Sequence, residues 1–131
     1  MNNKYCIGLW LFLTILFAGS ANAESWIKLE KSKYLDQDSI FRHDGLVSIW
    51  IKNTDPRNQS GDRIWEATLV SYDIDCDRRT SATTAFYFVQ FNGTKNLENV
   101  PSQGIQRPDP PGSLLDKARQ LVCKKFYEVW K

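Results

Sequence analysis

His43 is the only histidine of the chain, so imidazole chemistry has a single candidate. Nucleophilic catalysis needs a nucleophile, a base and an orienting group within hydrogen-bond reach. His43 stands in His43-Asp44-Gly45, a segment of turn composition, and no GxSxG, SxxK or HExxH occurs. Paired carboxylates are the other route to acid–base work. Asp36/Asp38 and Asp73/Asp75/Asp77 are spaced by two, which puts each set on one face of a strand. Exposed strand acids are common, so this spacing favours solvated charge over catalysis. Asp73-Ile74-Asp75-Cys76-Asp77 has the opening of a Ca²⁺ loop, yet Arg78 stands where the loop needs Gly and Thr84 where it needs Glu. These residues predict no catalytic group, no metal site and no cofactor. Asp73, Asp77, Arg78 and Arg79 read as surface ion pairs. Asn58-Gln59-Ser60 and Asn92-Gly93-Thr94 fit the glycosylation pattern, which matters only in a host that glycosylates.

The three cysteines divide by position. Lys4 is followed by a 12-residue apolar run, Ile7–Ala18, and then by Gly19-Ser20-Ala21-Asn22-Ala23. That order predicts a secretory signal peptide over 1–23, cut before Glu24. The run is shorter than the about 20 residues a membrane-spanning helix needs. Cys6 precedes the run instead of following it, so cleavage without lipidation is expected. Residues 24–131 then form one domain of 108 residues, and removal of Lys4 brings the net charge from +2 to +1. A domain so near neutrality lacks the basic excess of a typical nucleic-acid binder, and its aromatic content is not that of a disordered chain. Cys76 and Cys123 remain, and they can pair within the chain in one way only. Two free thiols are the alternative; a zinc pair lacks further ligands, since there is no CxxC and one His.

The elements that would position these residues follow from periodicity. Trp26–Glu30 alternates, and Leu46–Asn53 places Val47, Ile49 and Ile51 on one face and Ser48, Trp50 and Lys52 on the other. Between them the Asp44-Gly45 step predicts a hairpin. Asn53–Asp62 is a polar loop by composition. Arg63–Cys76 reads as one long strand, with Ile64, Val70, Tyr72, Ile74 and Cys76 sharing a face. Thr83–Phe91 is a further, aromatic strand. Residues 97–111 carry four prolines and read as an irregular or edge segment. Ser113 has the character of a helix N-cap, with Asp116 three residues on. Leu115, Ala118, Val122, Phe126 and Val129 then recur at helical spacing. The expected fold is α+β: a small antiparallel sheet of about five or six strands with one C-terminal helix. A Cys76–Cys123 bond would tie that helix to the sheet.

One helix covers one sheet face only in part, and the chain is rich in aromatics. If Val47, Ile49 and Ile51 face the helix, Trp50 faces away. Trp50, Tyr87 and Phe88 are the candidate contact surface, for a protein ligand or for a second copy in a homodimer. Loops or sheet curling over both faces would be the plainer outcome.

In its ordered motifs the sequence resembles the surface-adhesin protein E family of Gram-negative bacteria. The resemblance is carried by Trp26, Tyr34-x-Asp36-x-x-Ser39-Ile40 and Val47-x-x-Trp50-x-Lys52. It continues through Tyr72-Asp73-x-Asp75-Cys76-x-x-Arg79, Pro111-Gly112-Ser113 and Val122-Cys123. It implies a non-enzymatic envelope or surface protein that binds host matrix or plasma proteins, such as vitronectin and laminin, and haem. A haem would need an axial ligand, for which His43 is the sole histidine. The matching residues are structural in character, so no ligand-binding residue is carried over. Without a lipidation cysteine at the cleavage site, the chain is expected in the periplasm or at the cell surface. The competing reading is a periplasmic accessory or inhibitor module that binds a bacterial protein.

Overall fold

The computed structural model describes residues 25–100 and 102–127. The expected signal peptide, Val129 and Trp130 lie outside the described residues, as does the side chain of Phe126. The strands are β1 (Trp26–Glu30), β2 (Lys33–Asp36), β3 (Phe41–His43), β4 (Leu46–Asn53), β5 (Ala67–Asp75), β6 (Thr80–Val89), β7 (Lys95–Glu98) and β8 (Arg107–Pro108); α1 spans Leu114–Tyr127. They form one antiparallel sheet in the order β1-β2-β4-β5-β6-β7, with β3 beside the start of β4 and β8 beside the start of β6. The two short strands raise the count from the expected five or six to eight. The first arises at a turn: Asp44 and Gly45 each take positive φ, as a tight hairpin requires, and this sets Phe41 opposite Ser48.

The helix-facing side of the sheet is built as the alternation predicts. Val47, Ile49 and Ile51 of β4 join Leu35 and Ile74 beneath Ala118 and Val122 of α1, all buried. Residues directly opposite in a ladder share a face. Ile51 pairs with Val70, Ile49 with Tyr72 and Val47 with Ile74, so β5 continues that face. A bulge then shifts the β5–β6 register between Ser71 and Tyr72. It places Thr83 opposite Tyr72 and Phe86 opposite Val70.

The expected strand over Arg63–Cys76 is shorter at its start. The Arg63 guanidinium donates to the Trp65 and Glu66 carbonyls, at 3.3 and 2.7 Å, so the chain bends before β5 begins. Ile64 is therefore half exposed and does not share a face with Val70. The proline segment forms edge strands, as prolines permit, with Pro108 opposite Thr80.

The start of α1 follows the cap reading. Ser113 Oγ accepts the Asp116 N–H at 3.2 Å, and Asp116 Oδ2 accepts the Gly112 N–H at 2.9 Å. Asp116 is buried and also takes Arg119 and Gln120 as donors. The Gly112 N–H and Arg119, with a smaller share from Gln120, hold its carboxyl below the usual range. Ser113→Ala should cost about 1 kcal/mol of stability, measured by urea denaturation. Cys76, just past β5, is bonded to Cys123 in α1, with Cα atoms 5.7 Å apart. Lys117 Nζ adds an ion pair with Glu30 of β1 at 3.1 Å.

Candidate functional site

On the side of the sheet away from α1, β1, β4, β5 and β6 contribute Trp26, Trp50, Lys52, Leu69 and Tyr87. The ladder pairs Lys52 with Leu69 and Leu69 with Tyr87, which lines these side chains up across three strands. Trp50 and Tyr87 touch, with ring centroids 5.7 Å apart, and Lys52 Nζ sits 3.9 Å from the centre of the Trp26 ring. Together they line an open groove of about 600 Å³, rimmed by Asp36, Glu66 and Lys95. α1 lies on the other side of the sheet. Aromatic planes beside charges of both signs suit a partner that brings apolar and polar groups together.

The structure thus brings two of the three candidate contact residues together and separates the third. Phe88 lies opposite Thr68, on the helix-facing side. It stacks on Trp65, with centroids 4.8 Å apart, and meets Phe86 edge to face at 5.0 Å. Period-two alternation already sets Phe88 opposite Tyr87. What it lacks is Trp65, which the bend at Arg63 delivers as a cover. Trp26 is the groove residue that a β4–β6 reading omits; its odd position in β1, alternating with Ile27, was the available signal.

A second cluster joins residues that the sequence keeps apart. His43 Nε2 lies 2.6 Å from Ser48 Oγ and 3.2 Å from Asp73 Oδ1, and Ser48 Oγ donates to Asp73 Oδ1. Asp44 Oδ2 stands 3.6 Å from Nδ1. The residue types are those of a catalytic triad, and two carboxylates flank the imidazole, but the geometry differs. Ser48 and Asp73 converge on the same ring nitrogen, Ser48 is only 5% exposed, and its proton is engaged by the carboxylate. His43 is not among the residues that line the groove. The arrangement clasps the β3–β4 hairpin to β5.

The clasp should respond to pH. The hydrogen bond to Asp73 raises the pKa of His43 above 6.5, against a smaller opposing effect of burial. A group whose folded pKa is raised stabilises fully below its unfolded pKa and loses that contribution as pH rises through the folded value. The melting temperature should therefore fall between about pH 6 and 8 through His43, and His43→Ala should flatten that slope. Thermal melts of both proteins across the range decide it.

Asp36, Asp38 and Asp75 make local contacts. Asp36 accepts the Asp38 N–H at 3.1 Å, and Asp38 accepts the Ser25 N–H at 3.2 Å. Asp75 accepts the N–H groups of Asp77 and Arg78 and pairs with the Arg78 guanidinium at 3.9 Å. The Arg78 ion pair is therefore made by Asp75, while Asp73 serves His43. Among the described residues no three His, Cys, Asp or Glu side chains gather as metal ligands would. Among them, too, no helix is long and apolar enough to cross a membrane.

Solved structures share this architecture. The selenomethionine form of Haemophilus influenzae protein E matches with a TM-score of 0.61 at 16% identity, over 80% of this chain and 90% of that one. Crystal form II of the same protein gives 0.59 at 17%, over 78% and 89%. Protein E from non-typeable Haemophilus influenzae gives 0.60 at 16%, over 83% and 82%. Among curated proteins, none matches the chain. The sheet and its tied helix define the class, a small α+β protein of the protein E fold. The chain belongs to the surface-adhesin protein E family, whose model matches residues 26–124.

Proposed function

We propose that this is an exported, non-enzymatic adhesin that binds host matrix or plasma proteins through the groove around Trp50 and Tyr87. In this reading residues 1–23 direct export and are removed before Glu24, and the mature domain acts at the cell surface. The observation that carries the reading is the groove itself: Trp26, Trp50 and Tyr87 gathered on the sheet face opposite the helix. An apolar, polar-rimmed patch of this kind is what protein partners bury. Family membership supports the surface location.

Two measurements test it together. Protease shaving of intact cells should remove the protein, and purified protein should bind immobilised vitronectin or laminin. Trp50→Ala and Tyr87→Ala should each weaken that binding by about 30-fold or more, as loss of an aromatic anchor does. Recovery only from the soluble periplasm, with one stably bound bacterial protein, would replace this reading with that of an accessory or inhibitor module.

A further inference from the structure

A second cavity, of about 400 Å³, lies on the other side of the sheet. That is within the roughly 300–1,000 Å³ range of small-molecule sites. Tyr72 of β5 and Ser81 of β6 form its floor, Arg107 and Asp109 of the proline segment form one wall, and Leu114 and Leu115 of α1 close it. The fold assembles these parts through a few contacts. β8 lays Arg107 opposite Ser81, Ser81 Oγ donates to Asp109 Oδ1 at 2.5 Å, and the Ser113 cap starts α1 just beyond.

Asp109 Oδ2 is buried and meets no donor among the described residues. A buried carboxylate oxygen without a donor is costly, and a cation is its best partner. Arg107 lines the same cavity, with a guanidinium suited to a carboxylate. Burial pushes the Tyr72 hydroxyl above its usual range, so at neutral pH it lines the cavity uncharged. Arg107 and Asp109 are the charged residues of the lining, one of each sign. A simple cation would face Arg107, and a simple anion would face Asp109. A zwitterion satisfies both, and the leucine wall calls for an apolar side chain on it.

We propose that this cavity binds a free apolar α-amino acid, with its ammonium on Asp109, its carboxylate on Arg107 and its side chain against Leu114 and Leu115. The site is separated from the groove by the sheet and does not depend on the adhesin reading.

Titration calorimetry of the disulfide-bonded exported protein with L-leucine and L-phenylalanine tests it. Leucinol, which keeps the ammonium alone, and 4-methylpentanoate, which keeps the carboxylate alone, should bind at least about tenfold more weakly than leucine. Asp109→Asn retains an acceptor for Ser81, and Arg107→Gln changes an exposed side chain; each should lose about tenfold or more in affinity at an unchanged melting temperature. Trp50→Ala should bind leucine normally. The proposal is overturned if neither amino acid binds up to about 10 mM, if leucinol matches leucine, or if folded Asp109→Asn binds as the parent does.

Discussion

Cys76→Ala is expected to lower the melting temperature by about 20 °C. The bond spans 47 residues of sequence. The chain-entropy model gives about 4 kcal/mol for a loop of that size. In a domain of about 100 residues, each kcal/mol moves the midpoint by roughly 4–8 °C. A 14-residue helix is marginal alone in water; besides the bond, α1 is held by buried Ala118 and Val122, by Leu114, Leu115 and Leu121 packed beside them, and by the Lys117–Glu30 pair. That pair is half exposed and worth about 0–1 kcal/mol. Calorimetry of the variant, and of the parent with reductant, should show the same fall. An unchanged midpoint in either would mean the bond does not pin helix to sheet.

Ile49→Ala and Trp50→Ala should separate stability from binding at adjacent positions. Ile49 is 0% exposed at the centre of the core, beneath α1. Truncating a buried isoleucine removes transferred area and leaves a cavity, at about 2–5 kcal/mol. For a domain of this size that is a drop of roughly 10–40 °C. Trp50 points to the other face, into the groove. Its truncation should stay near 1 kcal/mol while removing the anchor that the proposed ligand needs. Equal destabilisation by the two would contradict the assignment of faces. A ligand indifferent to Trp50→Ala would move the contact surface elsewhere.

Several features were legible because they rest on local periodicity. Val47, Ile49 and Ile51 alternate with Trp50, and a strand has no other way to bury three branched aliphatics. Ser113 and Asp116 announce the helix start, since helical N–H groups there need acceptors. Other features depend on side-chain contacts that periodicity does not record. Arg63 ends the predicted long strand by donating to carbonyls a ladder would have used. That choice exposes Ile64 and sends Trp65 over Phe88, removing Phe88 from the candidate surface. The bulge at Ser71 and Tyr72 leaves no trace in the alternation of β5.

The sequence by itself determined that the domain is α+β and that Cys76 and Cys123 are the only cysteines after residue 23. It also set which side of β4 is apolar. These follow from composition and from periods of 2 and 3.6, which each segment carries alone. Only the tertiary structure decided which aromatics meet: Trp26 and Trp50 with Tyr87 in one groove, Trp65 with Phe88 on the other side. It alone joined His43 to Ser48 and Asp73, and set Asp109 with Arg107 across from α1. Such groupings depend on strand order, register and the path of loops, which are fixed by packing of the whole chain rather than by any one segment.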